Sequence, residues 1–237
     1  MKSKTPLRVC VVMPAYNEAS VIGDVILDVT KIFKNSPFSV EIVVVNDASK
    51  DNTAIIAKKH GATVINHILN SGAGGATATG LSYAQQNGFD IAATMDSDGQ
   101  HSAEDVLNGI NEIIKQKNDL LIGSRLIESK GMSKTKILGN KGLSFITYLL
   151  FGINSTDSQS GLRIYSRTAL EQLRWKTSGY EFCSEMLWRA KQLGLQVGEY
   201  PIKTIYTDYS KSKGQNNWNA VNIVKNLLKQ RIRELLG

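Results

Sequence analysis

A single α/β domain built on a mostly parallel sheet is what this sequence predicts, and three observations predict it. Short Val/Ile-rich runs alternate with longer segments of helical period, the pattern of strands joined by crossover helices. Acidic and polar residues gather directly after several of those runs. The third observation is size: 237 residues, 42% hydrophobic and 21% charged, suit one globular domain with no repeat or low-complexity tract to break it.

Taken in order, residues 8–13 read as a first strand and 19–33 as its helix, with Val21, Ile22, Val25, Ile26, Val29 and Phe33 along one side. Residues 40–45 are the second strand. It runs into a polar stretch where Ser49 or Asp51 offers an N-cap for a helix reaching Lys59. A third strand (62–66), a helix (75–86), a fourth strand (90–95), a helix (103–116) and a fifth strand (119–123) continue the series. Farther on, Glu185 lies on a helix running to Gln192. The terminal stretch 218–236 places Val221, Val224, Leu228, Ile232 and Leu235 on one helical face, with Lys225, Lys229, Arg231 and Arg233 largely elsewhere. That pattern fits a helix lying on anionic lipid, and equally one packed on the core with a solvated basic edge.

Charge and cysteine content bound the partners and the compartment. A net charge of +7 favours anionic partners: nucleotide phosphates, anionic lipid or nucleic acid. No nucleic-acid-binding motif accompanies it. Cys10 sits inside an apolar run and Cys183 is far away in sequence, so both read as reduced thiols. Residues 1–7 are too short and polar for a secretory leader. The longest apolar stretch, 145–153, falls well short of the ~20 residues that span a bilayer. The expectation is a cytoplasmic protein, soluble or peripheral to a membrane.

Chemistry concentrates after the fourth strand, in Asp96-Ser97-Asp98-Gly99-Gln100. In extended chain, residues i and i+2 share a face, so Asp96 and Asp98 would aim their oxygens at one point and Gln100 would continue the row. Oxygen ligands of this kind suit Mg²⁺ or Mn²⁺, although an isolated Asp-x-Asp is also an ordinary solvated turn. Three other strand ends strengthen the functional reading: Pro14-Ala15-Tyr16-Asn17-Glu18, Asn46-Asp47-Ala48-Ser49 and Gly123-Ser124-Arg125. In open α/β sheets, ligands bind at the carboxyl ends of strands, so these groups would share one rim. Gly72-Ala73-Gly74-Gly75 matches neither a P-loop nor a dinucleotide fingerprint. It would either present N–H groups to phosphate or, with Ala76, Ala78 and Gly80, permit close helix packing.

These segments, in this order, together with Asn70 to Ala76 and Asp157-Ser158-Gln159-Ser160-Gly161-Leu162-Arg163, resemble family 2 glycosyltransferases over about residues 8–205. The likeness is greatest to the branch of dolichyl-phosphate mannose synthases and other polyprenyl-phosphate glycosyltransferases. It implies a GT-A fold, Rossmann-like, with a mostly parallel sheet flanked by helices and a C-terminal amphipathic helix. A nucleotide-sugar-binding half (8–125), an acceptor-side half (126–210) and a basic terminal helix (211–237) would make up one domain, 1–237. Also implied is metal-dependent, inverting transfer of a hexosyl group from a GDP- or UDP-linked sugar to a polyprenyl phosphate, at the cytoplasmic membrane face.

Residue by residue, Pro14, Tyr16, Glu18, Asp47 and Asp96 match donor-binding positions, and Asp96, Asp98 and Gln100 match the metal cluster for Mg²⁺ or Mn²⁺. Asn46 stands where many relatives carry a second acid. Arg125 and Arg163 match basic positions that would hold the acceptor phosphate, which guanidinium forks suit; Lys211 and Lys213 are further basic candidates. For a saccharide hydroxyl acceptor, as in surface polysaccharide synthesis, Glu185 would be the general base. A separate membrane subunit is compatible with the resemblance. A non-catalytic nucleotide- or nucleic-acid-binding module is the alternative from another class, and the acid cluster argues against nucleic acid.

Overall fold

The structure, a computed structural model, describes residues 5–128, 132–203, 205, 223–229 and 231. Its elements are β1 (Arg8–Ala15), α1 (Ile22–Phe33), β2 (Ser39–Asn46), α2 (Thr53–Lys59), β3 (Thr63–Asn66), α3 (Gly72–Gln86) and β4 (Ile91–Thr94). There follow α4 (Ala103–Gln116), β5 (Leu120–Ser124), α5 (Lys134–Phe151), β6 (Arg163–Ser166), α6 (Arg167–Gln172), α7 (Phe182–Gln192) and β7 (Val197–Pro201). Among the described residues the strands form one sheet in the order β3-β2-β1-β4-β6-β5-β7. All pairings are parallel except those of β6, which runs against both β4 and β5.

Helices cover both faces of the sheet, and the sequence of β1 shows why. Val9, Val11 and Met13 join one apolar cluster with α1 and α4, while Cys10 and Val12 join another with α3 and α7. A strand buried on both faces has to be apolar throughout, which is why it reads as a continuous run rather than an alternation. Small residues set the helix distance: a Cβ at Gly80 on α3 would collide with the Val12 side chain. Ala76 and Ala84 of the same helix are fully buried. The packing reading of the small residues in this helix is thereby borne out.

Five expected strands and the helices after the first four are present, with ends that shift by a few residues. The reversed strand β6 and the edge strand β7 were not foreseen, because four or five residues with no flanking turn signal carry little periodicity. β6 matters for the site. Arg163, its first residue, pairs with Thr94 on β4 and Ile122 on β5, so the loop entering β6 lies on the rim where β4 and β5 end.

The terminal helix departs from its expected face. Within 223–229, Ile223 and Leu227 are buried against Leu143 and Phe151 of α5 and Trp188 of α7, whereas Leu228 is 44% exposed. This described part is therefore core-packed with a solvated basic edge. Val221, Ile232, Leu235, Lys211 and Lys213 lie outside the described residues. Both cysteines are buried free thiols. Among the described residues no helix is long and apolar enough to cross a membrane.

Candidate active site

The site is built on the loops following β1, β2, β4 and β5 together with the loop entering β6. Two of these loops are held in unusual backbone geometry. Asn17 and Ala48 both adopt the left-handed region, with φ of 57° and 59°, which costs a non-glycine residue energy unless its surroundings hold it. Here the surroundings do: Asn17 N–H donates to Ser49 Oγ at 2.9 Å and Lys50 N–H donates to Asn17 Oδ1 at 2.8 Å. Loops 1 and 2 are thus clasped together. Pro14 lies at the end of β1, where its carbonyl accepts from Ser97 Oγ at 2.8 Å, tying the β4 loop to β1. Tyr16 projects at 43% exposure. Glu18 is buried, its N–H donating to Thr53 Oγ1 at 2.8 Å.

Asp96 and Asp98 stand beyond the end of β4 rather than within it, so the alternation of an extended strand does not align them. A turn does, helped by Gly99 at φ 78°. Asp98 accepts from the Gln100 N–H at 3.0 Å and from Gln100 Nε2 at 2.7 Å. Gln100, expected as a ligand, therefore positions Asp98 in this structure. Asp96 is different: its side chain is 52% exposed, with only His101 Nε2 recorded nearby, at 3.6 Å. The loop from β6 fits around it, since a Cβ at Gly161 would strike the Asp96 carboxylate. Thr94 Oγ1 donates to the Gly161 carbonyl at 2.9 Å and fixes that approach.

Electrostatics mark the same pair. Burial in the cleft raises the Asp96 carboxyl above the ordinary carboxylate value, against the pull of Arg125 and Arg163. Burial and then the neighbouring Asp96 raise Asp98. Desolvation first, and then Arg125, lower His101 to about 4, so it is neutral at physiological pH. Two acids held close with too few hydrogen-bond donors are a setting that a divalent cation relieves. Among the described residues no three His, Cys, Asp or Glu side chains converge as metal ligands. One or two carboxylates are nevertheless what Mg²⁺-type sites use when water and substrate phosphate complete the shell, so the donor set fits such an ion.

Three expected assignments are corrected by burial and bonding. Arg163 is 1% exposed and donates to the carbonyls of Ser160, Ser158 and Cys183 at 3.0, 2.8 and 3.1 Å. It braces the β6 loop from beneath and cannot meet an acceptor phosphate. Glu185 is fully buried on α7; it accepts from Lys176 N–H at 3.0 Å and from Thr177 N–H and Oγ1 at 2.9 and 2.7 Å. It holds the 174–180 loop and has no oxygen left over for a substrate hydroxyl. Asp47 is 3% exposed and accepts from Ser71 N–H and Gly72 N–H, both at 2.8 Å, and from Ser71 Oγ at 2.9 Å; His67 Nδ1 lies at 2.7 Å. It caps the start of α3 instead of facing ribose. The same start is packed against the 174–180 loop, where Gly74 N–H donates to the Ser178 carbonyl at 2.7 Å. A Cβ at Gly72 or Gly74 would meet backbone atoms there.

Arg125 is partly committed. Its Nε and Nη2 donate to Asp157 at 2.7 and 2.8 Å, and its N–H also reaches Asp157 at 3.1 Å. Its charge still acts on Asp96 across the cleft. Asp157 and Gly161 were quoted in the motif but given no role, and an acid two residues from a serine-glycine turn was the available signal. Tyr180 carried no signal at all.

The family model for glycosyl transferase family 2 matches residues 10–174. This chain is a family 2 glycosyltransferase. A UDP-N-acetylglucosamine–dolichyl-phosphate N-acetylglucosaminyltransferase of Methanococcus voltae is 42% identical to it, over 95% of this chain and 96% of that one. An undecaprenyl-phosphate mannosyltransferase of Micrococcus luteus is 29% identical, over 87% of each. The glycosyltransferase also superposes on mannosyl-3-phosphoglycerate synthase of Rubrobacter xylanophilus with a TM-score of 0.70 at 20% identity, covering 96% of this chain and 75% of that structure, which shows the shared GT-A fold.

Proposed function

We propose that this glycosyltransferase moves a hexosyl group from a nucleoside diphosphate sugar to a polyprenyl phosphate, with inversion and with Mg²⁺ or Mn²⁺ as cofactor. The observation that carries the chemistry is the half-exposed Asp96, held on the rim by Gly161 and paired with the turn-held Asp98. The lipid phosphate acceptor is supported by the Methanococcus voltae relative, whose name specifies a dolichyl phosphate and a UDP-linked donor.

In this reading Asp96 and Asp98 hold the cation, and Tyr16 and Glu18 in the clasped loop after β1 receive the nucleoside. A divalent cation supplies charge neutralisation for the departing nucleoside diphosphate. Arg125, oriented by Asp157 beside Asp96, faces the acceptor phosphate. A phosphate monoester has a second pKa of about 6, so it is already ionised near pH 7 and requires no general base. That agrees with a Glu185 whose oxygens are occupied by loop N–H groups. The saccharide-hydroxyl alternative loses its base by the same observation.

Next to Arg125, a groove of about 530 Å³ is lined by Leu126, Lys141, Phe145, Tyr148 and Thr156. Along α5, Leu138, Phe145, Tyr148 and Leu149 are 74, 59, 52 and 64% exposed. An apolar helix side with lysine at its edge suits the peripheral lipid contact that such an acceptor demands. The test is label transfer from UDP- and GDP-linked sugars to purified polyprenyl phosphate with Mg²⁺, with Mn²⁺ and with chelator. Metal-dependent glycosylated lipid phosphate is the expected product; donor turnover with no lipid product, or full activity in chelator, overturns the reading.

A further inference from the structure

Tyr180 is 53% exposed and stands at the end of the loop that Glu185 holds, just before α7. The loop is fixed at several points. Lys176 and Thr177 donate to Glu185, Trp175 Nε1 donates to the Gly74 carbonyl at 3.1 Å, and the Ser178 carbonyl accepts from Gly74. Gly179 completes it, with no room for a side chain beside Glu181. A strap tied at both flanks presents its last residue in a defined place. That place faces the site: the charges of Asp96, Asp98 and Glu18, from the loops after β4 and β1, all act on the Tyr180 hydroxyl.

Desolvation of its hydroxyl end, then Asp96, hold the phenol above its ordinary value, so it keeps its proton at neutral pH. The carboxylates around it only accept hydrogen bonds when ionised, whereas the phenol donates. A nucleoside diphosphate sugar entering between them brings phosphate and hydroxyl oxygens within the range of this donor group.

We propose that Tyr180 is a donor-contacting residue whose hydroxyl hydrogen-bonds the diphosphate-sugar portion of the donor, and that it sets donor affinity rather than acceptor use. The assignment rests on the nucleotide-sugar reading above. It also gives a purpose to the buried Glu185, as a positioning residue that acts through the strap.

The experiment is calorimetric binding of UDP-N-acetylglucosamine and of GDP-mannose, each with Mn²⁺, to the wild-type chain and to Tyr180→Phe, followed by steady-state transfer with whichever donor binds. Loss of one hydrogen bond to a charged group predicts a donor Kd and KM raised about tenfold. The KM for lipid phosphate and the thermal midpoint stay unchanged, which a merely structural tyrosine would not ensure. Unchanged donor binding overturns the assignment, as does tighter binding, which would mean that the hydroxyl closes the empty cleft onto its acids. A rise confined to the KM for lipid phosphate also overturns it. Failure of the wild-type chain to bind either donor would sink the nucleotide-sugar reading along with it, whereas wild-type binding with an indifferent variant sinks Tyr180 alone.

Discussion

Asp47 and Asp96 follow neighbouring strands on one rim, β2 and β4, yet the fold treats them in opposite ways. Asp47 is buried and surrounded by donors from Ser71, Gly72 and His67. Asp96 is half-exposed, with a glycine cleared away beside it and a second acid close by. The pKa directions follow. Burial alone would raise both, but the hydrogen bonds of Asp47 outweigh it and lower that carboxyl below its usual 3.8. Asp96, without such donors, is raised. A carboxylate whose lone pairs are filled by the protein is architecture, while one left under-coordinated at a cleft is available for chemistry. By that criterion Glu185 belongs with Asp47.

The largest effect that would test this contrast is on catalysis. Asp96→Asn is expected to reduce transfer by about 100- to 1,000-fold, the scale of losing one charge-stabilising group, while the thermal midpoint stays put. Wild-type turnover in that variant would break the comparison. Asp47→Asn should do the reverse. An amide turns one acceptor into a donor facing an N–H, so stability should fall by about 3 kcal/mol in denaturant unfolding at pH 7. Because the folded Asp47 value lies below the unfolded one, its contribution is present above about pH 4 and is lost as pH falls through the folded value. The difference between wild type and Asp47→Asn should therefore shrink in acid.

A smaller effect sharpens the place of Glu185. Glu185→Gln is expected to cost about 2 kcal/mol by unfolding and to raise donor KM through a loosened strap, with kcat changed by less than about tenfold. A general base would give the opposite pattern, with kcat lost and stability intact.

Much of the fold was legible because its signals are local. Strand runs buried on both faces, α4 with its Ser102 cap accepting from Glu104 N–H at 3.1 Å, and the polar strand ends are all written in neighbouring residues. The rim and the acid pair after β4 were legible for the same reason. What failed was any inference from residue type to exposure. Arg163 looked like a phosphate ligand, but a reversed strand wedged between β4 and β5 carries it beneath the rim. Glu185 looked like a base, but the chain folds the 174–180 loop over it, and that loop is placed by glycines a hundred residues earlier.

By itself the sequence determined the α/β class, the family and the rim on which the chemistry sits, since periodicity and ordered motifs need no knowledge of distant partners. Only the tertiary structure decided which charged groups on that rim remain open. Satisfaction of a carboxylate or a guanidinium depends on donors and acceptors brought from remote segments, and no pattern of neighbours encodes it.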